Sequence, residues 1–90
     1  MKRTPTKKPA PLPKRVSTLP RRIGRALKAR RKELKLNQDD AAERMGTHRV
    51  NYSRLETGKV KYRIDTLEKL CMAVDRKPWQ VLKEAEELLK

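Results

Sequence analysis

Residues 36–58, LNQDDAAERMGTHRVNYSRLETG, constrain the fold of this chain more than any other segment. Asn37 is a favourable helix N-cap, because its side-chain oxygen can accept a hydrogen bond from an unpaired backbone N–H. Two aspartates follow, where their charge stabilises the positive end of a helix dipole. Gly46 can adopt the left-handed conformation that ends a helix. The pattern predicts a short helix over residues 38–45 and a tight turn after it.

A second short helix is predicted from about Arg49 to Thr57, ended by Gly58. Helical spacing gives the pair one inward face, on which the small Ala42 lets the two helices cross closely. The inward set is Ala41, Ala42, Met45, Tyr52 and Leu55. The outward face of the second helix is Arg49, Val50, Ser53 and Arg54.

This segment resembles the helix-turn-helix regulators of the phage Cro and repressor type, also called the Xre type. The positions that fit the family pattern are Leu36, Asn37, Gln38, Ala42, Gly46, Leu55, Glu56 and Gly58. The resemblance extends upstream to Ile23 and downstream to Leu82. It implies an all-α, five-helix, lambda-repressor-like helix-turn-helix domain. It also implies a transcriptional regulator whose partner is double-stranded DNA.

Three positions depart from the family pattern. Ala41 stands where a leucine is usual, and Tyr52 stands where isoleucine or valine is usual. If these two side chains touch, the volume of the core is kept. His48 replaces the usual Ser or Thr at the N-cap of the second helix, so we expect a weaker cap, with Thr47 taking over part of the role.

The positive charge is concentrated at the N-terminal side. Of a net charge of +14, residues 1–20 carry +6, residues 21–35 carry +7 and residues 36–90 carry +1. A polyanion is the natural partner of such a field, although basic residues can also serve solubility alone. Four prolines among the basic residues predict a disordered, flexible Pro/Lys/Arg-rich arm over residues 1–19, which either contacts DNA or stays free. The DNA-binding domain is predicted over residues 20–90.

Three further helices complete the predicted domain. Pro20 suits the first turn of a helix that ends near Leu34. This helix buries Ile23, Leu27 and Leu34 and exposes Arg22, Arg25, Lys28 and Lys32. A fourth helix begins near Asp65, with an inward stripe of Leu67, Leu70, Cys71 and Val74. A fifth begins at Pro78, and the end of its apolar stripe, Leu88 and Leu89, is either a dimer contact or a solvent-facing terminus.

The resemblance and the residue types together divide the expected DNA contacts. By resemblance, and because backbone N–H groups point outward at a helix N-terminus, Gln38 should hold a phosphate. Guanidinium forks match the acceptors of guanine and valine packs on a thymine methyl, so the base-contacting residues are Arg49, Val50, Ser53 and Arg54. Further phosphate contacts are assigned to His48, Asn51, Lys59, Lys61 and Arg63, although Asn51 and Ser53 can reach either bases or backbone.

One ion pair is implied by the resemblance alone. In the family, an arginine of the first helix pairs with the glutamate that ends the second helix of the motif, and Arg31 and Glu56 occupy those positions. We therefore expect both residues to be structural.

The sequence contains no constellation that indicates catalysis or metal binding. His48 is the only histidine and Cys71 the only cysteine, and neither has the companions that a metal site needs. We predict no enzyme, no metal site and no cofactor, and we expect Cys71 to be a buried small hydrophobe. A single cysteine and the absence of a long apolar run favour a cytoplasmic, nucleoid-associated protein without membrane contact.

The leading hypothesis is a small repressor that acts as a homodimer on a palindromic operator, with half-sites about one helical turn apart. Two others stay open. One is an antitoxin, in which the same domain binds an operator and a toxin protein. The other is a coactivator-like bridging protein, which would bind DNA weakly or without sequence preference.

Overall fold

The computed structural model describes residues 18–88, and in that range the chain forms five helices and no strand. They are α1 (Leu19–Glu33), α2 (Gln38–Met45), α3 (Arg49–Glu56), α4 (Ile64–Ala73) and α5 (Pro78–Glu87). The all-α, five-helix prediction is therefore confirmed. The predicted arm falls almost wholly outside the described residues, as does Leu89.

Local side-chain signals set the helix ends. Asn37 Oδ1 accepts from the backbone N–H of Asp40 at 2.7 Å, and Asp40 Oδ2 accepts from the backbone N–H of Asn37 at 3.0 Å. This capping box satisfies two backbone donors that a helix start leaves unpaired. Gly46 ends α2 with a φ of 79°. The predicted bounds of α2 are correct at both ends.

The start of α3 also follows the sequence prediction, but its capping differs in one respect. His48 is the N-cap and makes no side-chain cap hydrogen bond, in accord with the weak cap expected. Thr47 does not take over that role. Its hydroxyl oxygen accepts instead from the amide Nδ2 of Asn51 at 2.9 Å, because Asn51 lies one turn along α3 and reaches back to it. The helix ends at Glu56, one residue before the predicted end.

The five helices surround one aliphatic core. Helix α1 packs against α3 and α5, while α2 packs against α3 and α4. Ala41 and Tyr52 are both fully buried in this core, and Cys71 is buried as predicted. The fully buried larger side chains of the core are Leu27, Tyr52, Leu70, Val74 and Val81.

Helix α1 crosses the end of α3 at unusually close range. A Cβ at Gly24 would lie 1.8 Å from the carbonyl oxygen of Glu56, so any side chain there would force the two helices apart. The hydroxyl of Tyr62, which follows α3, lies 2.5 Å from the carbonyl oxygen of Leu55 in α3 and 3.3 Å from that of Pro20 in α1, and can donate to either. These contacts fix α1 against the helix that carries the predicted base-contacting residues.

The expectation that Arg22 is exposed is wrong. Its side chain is 13% exposed, and Nη1 donates to the carbonyl oxygen of Ala85 at 2.9 Å and lies 3.5 Å from Glu86 Oε2. The physical reason is that the last carbonyls of a helix keep unused acceptor capacity, and α5 packs on α1 with the carbonyl of Ala85 facing Arg22. Arg25, Lys28 and Lys32 are exposed as predicted. Leu34, predicted inward, is only partly buried at the edge of the core.

Two other arginines hold the end of α4. Arg30 Nε donates to the carbonyl oxygen of Val74 at 3.1 Å, and Arg44 Nη1 donates to the carbonyl oxygen of Ala73 at 3.1 Å. Cations at a helix C-terminus satisfy orphan carbonyls and stabilise the negative end of the dipole. In this way α1 and α2 are both attached to α4.

Candidate nucleic-acid interface

The outward face of α3 is open and has side chains that nothing in the described chain engages. Arg49 and Arg54 are exposed, and neither side chain makes a hydrogen bond or ion pair within residues 18–88. Val50 is 71% exposed, which leaves an apolar surface uncovered between the two cations. A shallow concavity is lined by Gln38, which is one of the predicted phosphate contacts, and by the four predicted base-contacting residues, Arg49, Val50, Ser53 and Arg54.

Beneath this face lies a buried ion pair between α1 and α3. Arg31 Nε donates to Glu56 Oε2 at 2.8 Å and Arg31 Nη2 donates to Glu56 Oε1 at 3.1 Å, so the pair is bidentate. The two side chains are 8% and 3% exposed. A third donor of Arg31, Nη1, binds the carbonyl oxygen of Leu36 at 2.8 Å. The structure thus brings together the two residues that the family resemblance paired.

The charges of this pair are stabilised in place. Burial alone would raise the pKa of the Glu56 carboxyl, but hydrogen bonds from Arg31 and Gln38 outweigh it and hold the pKa below its ordinary value. The hydrogen bond to Glu56 raises the pKa of Arg31. Burial also raises the pKa of the neighbouring Tyr52, whose hydroxyl has no hydrogen-bond partner among the described residues. Tyr52 therefore remains neutral beside a fully charged pair.

Gln38 makes a contact within the fold that the sequence did not predict. Its amide Nε2 donates to Glu56 Oε1 at 3.0 Å, so the carboxylate binds the first residue of α2 as well as Arg31 of α1. This fixes the orientation of the amide at the N-terminus of α2. No local pattern indicates the contact, because the two residues are 18 positions apart. The sequence shows only a glutamine at the start of one helix and a glutamate at the end of the next.

The loop after α3 alternates between inward and outward side chains. Val60 and Tyr62 are partly buried against the core, while Lys59, Lys61 and Arg63 are exposed. The three predicted phosphate contacts thus share the outward side of the loop. Arg63 Nε lies 3.5 Å from a carboxylate oxygen two residues further on, but both side chains are well exposed and such pairs are weak.

The remaining two predicted phosphate contacts lie at the start of α3. His48 is exposed at the N-cap. Asn51 is exposed as well, and part of its amide donor capacity is used on Thr47.

In the part of the chain that the structure describes, no group of three His, Cys, Asp or Glu side chains is arranged to hold a metal ion. None of the described helices is long and apolar enough to cross a membrane.

A family model described as helix-turn-helix matches residues 27–78, which is more than half of the chain. The matched region includes α2, the Gly46 turn and α3, together with the buried ion pair. The chain belongs to the helix-turn-helix family of the Xre/Cro type, a family of DNA-binding transcriptional regulators.

Solved structures of a gene regulator have a similar fold. One crystal structure of the clp gene regulator ClgR from Corynebacterium glutamicum has a TM-score of 0.74 and 25% sequence identity, covering 80% of this chain and 94% of that chain. Another crystal structure of ClgR also has a TM-score of 0.74, with 26% identity, covering 90% of this chain and 80% of that chain. No curated protein sequence gives a significant match.

Proposed function

We propose that this protein recognises a specific DNA sequence with the outward face of α3 and represses transcription as a homodimer on a palindromic operator. The observation that carries the proposal is the exposed set of side chains around Arg49 and Arg54, which have no partner within residues 18–88 and lie beside Gln38. Its place of action would be the nucleoid.

The division of contacts follows from chemistry and position. The major groove, about 12 Å wide, admits an α-helix, and each guanidinium can bind the O6 and N7 acceptors of a guanine. Val50 is placed between the two arginines on an exposed face, where a thymine methyl would cover it. Ser53 is half-buried in the same concavity, and its short hydroxyl would reach a base edge only where the backbone of α3 lies close to the groove floor.

Phosphate contacts would surround this base-reading face. Gln38 offers its remaining amide atoms together with the backbone N–H groups that open α2. His48 and Asn51 lie at the start of α3, and Lys59, Lys61 and Arg63 lie on the outward side of the following loop. Such contacts fix the register of the protein on the duplex and supply affinity without sequence information.

A dimer is supported by apolar side chains that α5 leaves uncovered. Leu88 is 45% exposed and Trp79 is 60% exposed. Two copies joined at the end of this helix would cover Leu88 and present two α3 helices to half-sites about 34–36 Å apart. Such a pairing explains why one small domain, which reads only a few base pairs, would gain affinity on a palindrome.

The experiment is a selection from a randomised duplex pool at two salt concentrations, with sequencing of the recovered DNA. An enriched palindrome with steep salt dependence supports the proposal. An Arg49→Ala/Arg54→Ala variant should then lose the enrichment, whereas Lys69→Ala, an exposed site away from α3, should retain it. Salt-sensitive binding by the wild-type protein with no enriched motif would contradict sequence-specific repression and would favour the coactivator-like role.

A further inference from the structure

The basic side chains of α1 fall into two sets. Arg22, Arg30 and Arg31 are committed to carbonyl or carboxylate oxygens of other helices or of α1 itself. The second set is exposed and makes no hydrogen bond or ion pair within residues 18–88: Arg21, Arg25, Lys28 and Lys32. The fold therefore accounts for only part of the charge that α1 carries.

All four residues of the uncommitted set lie on one face of the helix, since Lys32 follows Arg21 by about three turns, and the first three of them line one concavity. Arg21, Arg25 and Lys28 are spaced i, i+4 and i+7, which places them in one row. We call this row the α1 stripe. It lines a concavity between α1 and the adjoining ends of α2 and α3, together with Gly24, Gln38, Glu56 and Thr57. The only carboxylate in that lining, Glu56, is already neutralised by Arg31.

The α1 stripe adjoins the α3 face without a break. Gln38 lines the concavity of the stripe and also the concavity formed by Arg49, Val50, Ser53 and Arg54. A strand of nucleic acid whose phosphate lies at Gln38 would therefore pass from one surface to the other. Seven residues of helix separate the ends of the stripe, a span of about 10 Å at the helical rise.

We propose that the α1 stripe binds the phosphodiester backbone of the same duplex whose bases α3 contacts. This proposal rests on the proposed function, because it takes α3 as the helix that contacts the bases. Each DNA strand carries one charge per about 3.4 Å of axis, and phosphates are farther apart along the inclined strand itself, so a stripe of about 10 Å that follows the strand faces about two phosphates. The backbone donors at the start of α2 point toward the same region, and a helix N-terminus favours an anion.

A pair of matched double variants tests the stripe. Arg25→Ala/Lys28→Ala removes two cations from it. Lys69→Ala/Lys83→Ala removes two exposed cations that line neither concavity and make no bond within the described residues. Both variants lose the same charge, and alanine is a strong helix former, so melting curves of both should match the wild type. The measurement is the slope of log affinity against log salt, on a selected duplex and on a mixed-sequence duplex.

We expect the stripe variant to lose about 2 units of slope on both duplexes, because each phosphate contact contributes about 1 unit and phosphates carry no sequence information. The control variant should lose less than half as much. Phosphate-ethylation interference on the selected duplex should weaken in the stripe variant at positions flanking the bases that α3 contacts. Equal slopes for the stripe and control variants would overturn the proposal.

The two proposals fail in different ways. If the wild-type selection yields no enriched motif, the proposed function fails, while the slope on the mixed-sequence duplex still shows whether the stripe binds phosphates. If a motif is enriched and depends on Arg49 but the stripe variant behaves as the control does, only the stripe proposal fails.

Discussion

Glu56 is the residue through which the three helices nearest the candidate interface meet. Its carboxylate accepts from Arg31 of α1 and from Gln38 of α2, while its own backbone belongs to α3. Removing either charged partner would leave the other one buried and uncompensated, which is costly in a poorly solvated site.

Arg31→Ala should therefore lower the free energy of unfolding by ~3–5 kcal/mol, measured by denaturant unfolding. Arg25→Ala, on the exposed face of the same helix, should change it by less than about 0.5 kcal/mol. If Arg31→Ala instead unfolds like the wild type and only DNA affinity falls, the assignment of Arg31 as structural is wrong.

Arg49 and Lys61 should differ in what they contribute to DNA binding. Arg49→Ala is expected to cost ~1–3 kcal/mol on the selected duplex and to relax the preference at one base position. Lys61→Ala should weaken selected and mixed-sequence duplexes alike and reduce the salt slope by about 1 unit. The measurement is affinity on both duplexes across a salt series. Equal losses on the two duplexes for both variants would show that Arg49 reads no base.

The outward face of α3 could be predicted from the sequence, because helical periodicity and residue type suffice to choose Arg49 and Arg54. The partners of Arg22 and Gln38 could not. Arg22 binds a carbonyl 63 residues away and Gln38 a carboxylate 18 residues away. Such contacts depend on how helices pack, and one sequence gives no direct signal of that packing.

Among the elements, helix ends were the most predictable feature where a residue with a local physical role sets them. Asn37 and Gly46 define α2, and Pro78 opens α5. The distance between helices was less predictable. The sequence around Gly24 gives no sign of a close contact, and only the structure shows that a Cβ there would meet the backbone of α3.

Gly24 and Gly46 should respond differently to the same substitution. Gly46→Ala places a side chain at positive φ but in open space, so we expect a cost of about 1–2 kcal/mol. Gly24→Ala forces α1 away from α3 and should cost about 3 kcal/mol or more. Thermal unfolding of the two variants provides the comparison. A Gly24→Ala protein as stable as Gly46→Ala would mean that α1 can shift at little cost.

At the scale of the whole molecule, thiol and phenol groups whose pKa is raised by burial, Cys71 and Tyr62 as well as Tyr52, should make the fold sensitive to alkaline pH. Burial raises the pKa of Cys71 from 9.0 to about 11 and that of Tyr62 from 10.0 to about 12. Both groups hold their protons more tightly when folded, so their contribution is fully present below about pH 9 and is lost as the pH rises through 11 and 12.

Melting temperature should thus fall steadily between pH 9 and 12, with little change between pH 7 and 9. Cys71→Ala should reduce the part of the decline below pH 11, measured relative to its own melting temperature at pH 7. An identical decline in this variant would mean that Cys71 does not contribute.

The shared carboxylate of Glu56 also has a mechanical consequence. Because it ties α1, α2 and α3 to one another, the domain has little freedom to turn α3 independently toward an imperfectly shaped target. Any adjustment on binding would have to come from the duplex, whose cost of bending depends on its base steps. We therefore expect flexible pyrimidine–purine steps to be preferred at operator positions that no side chain of this protein touches.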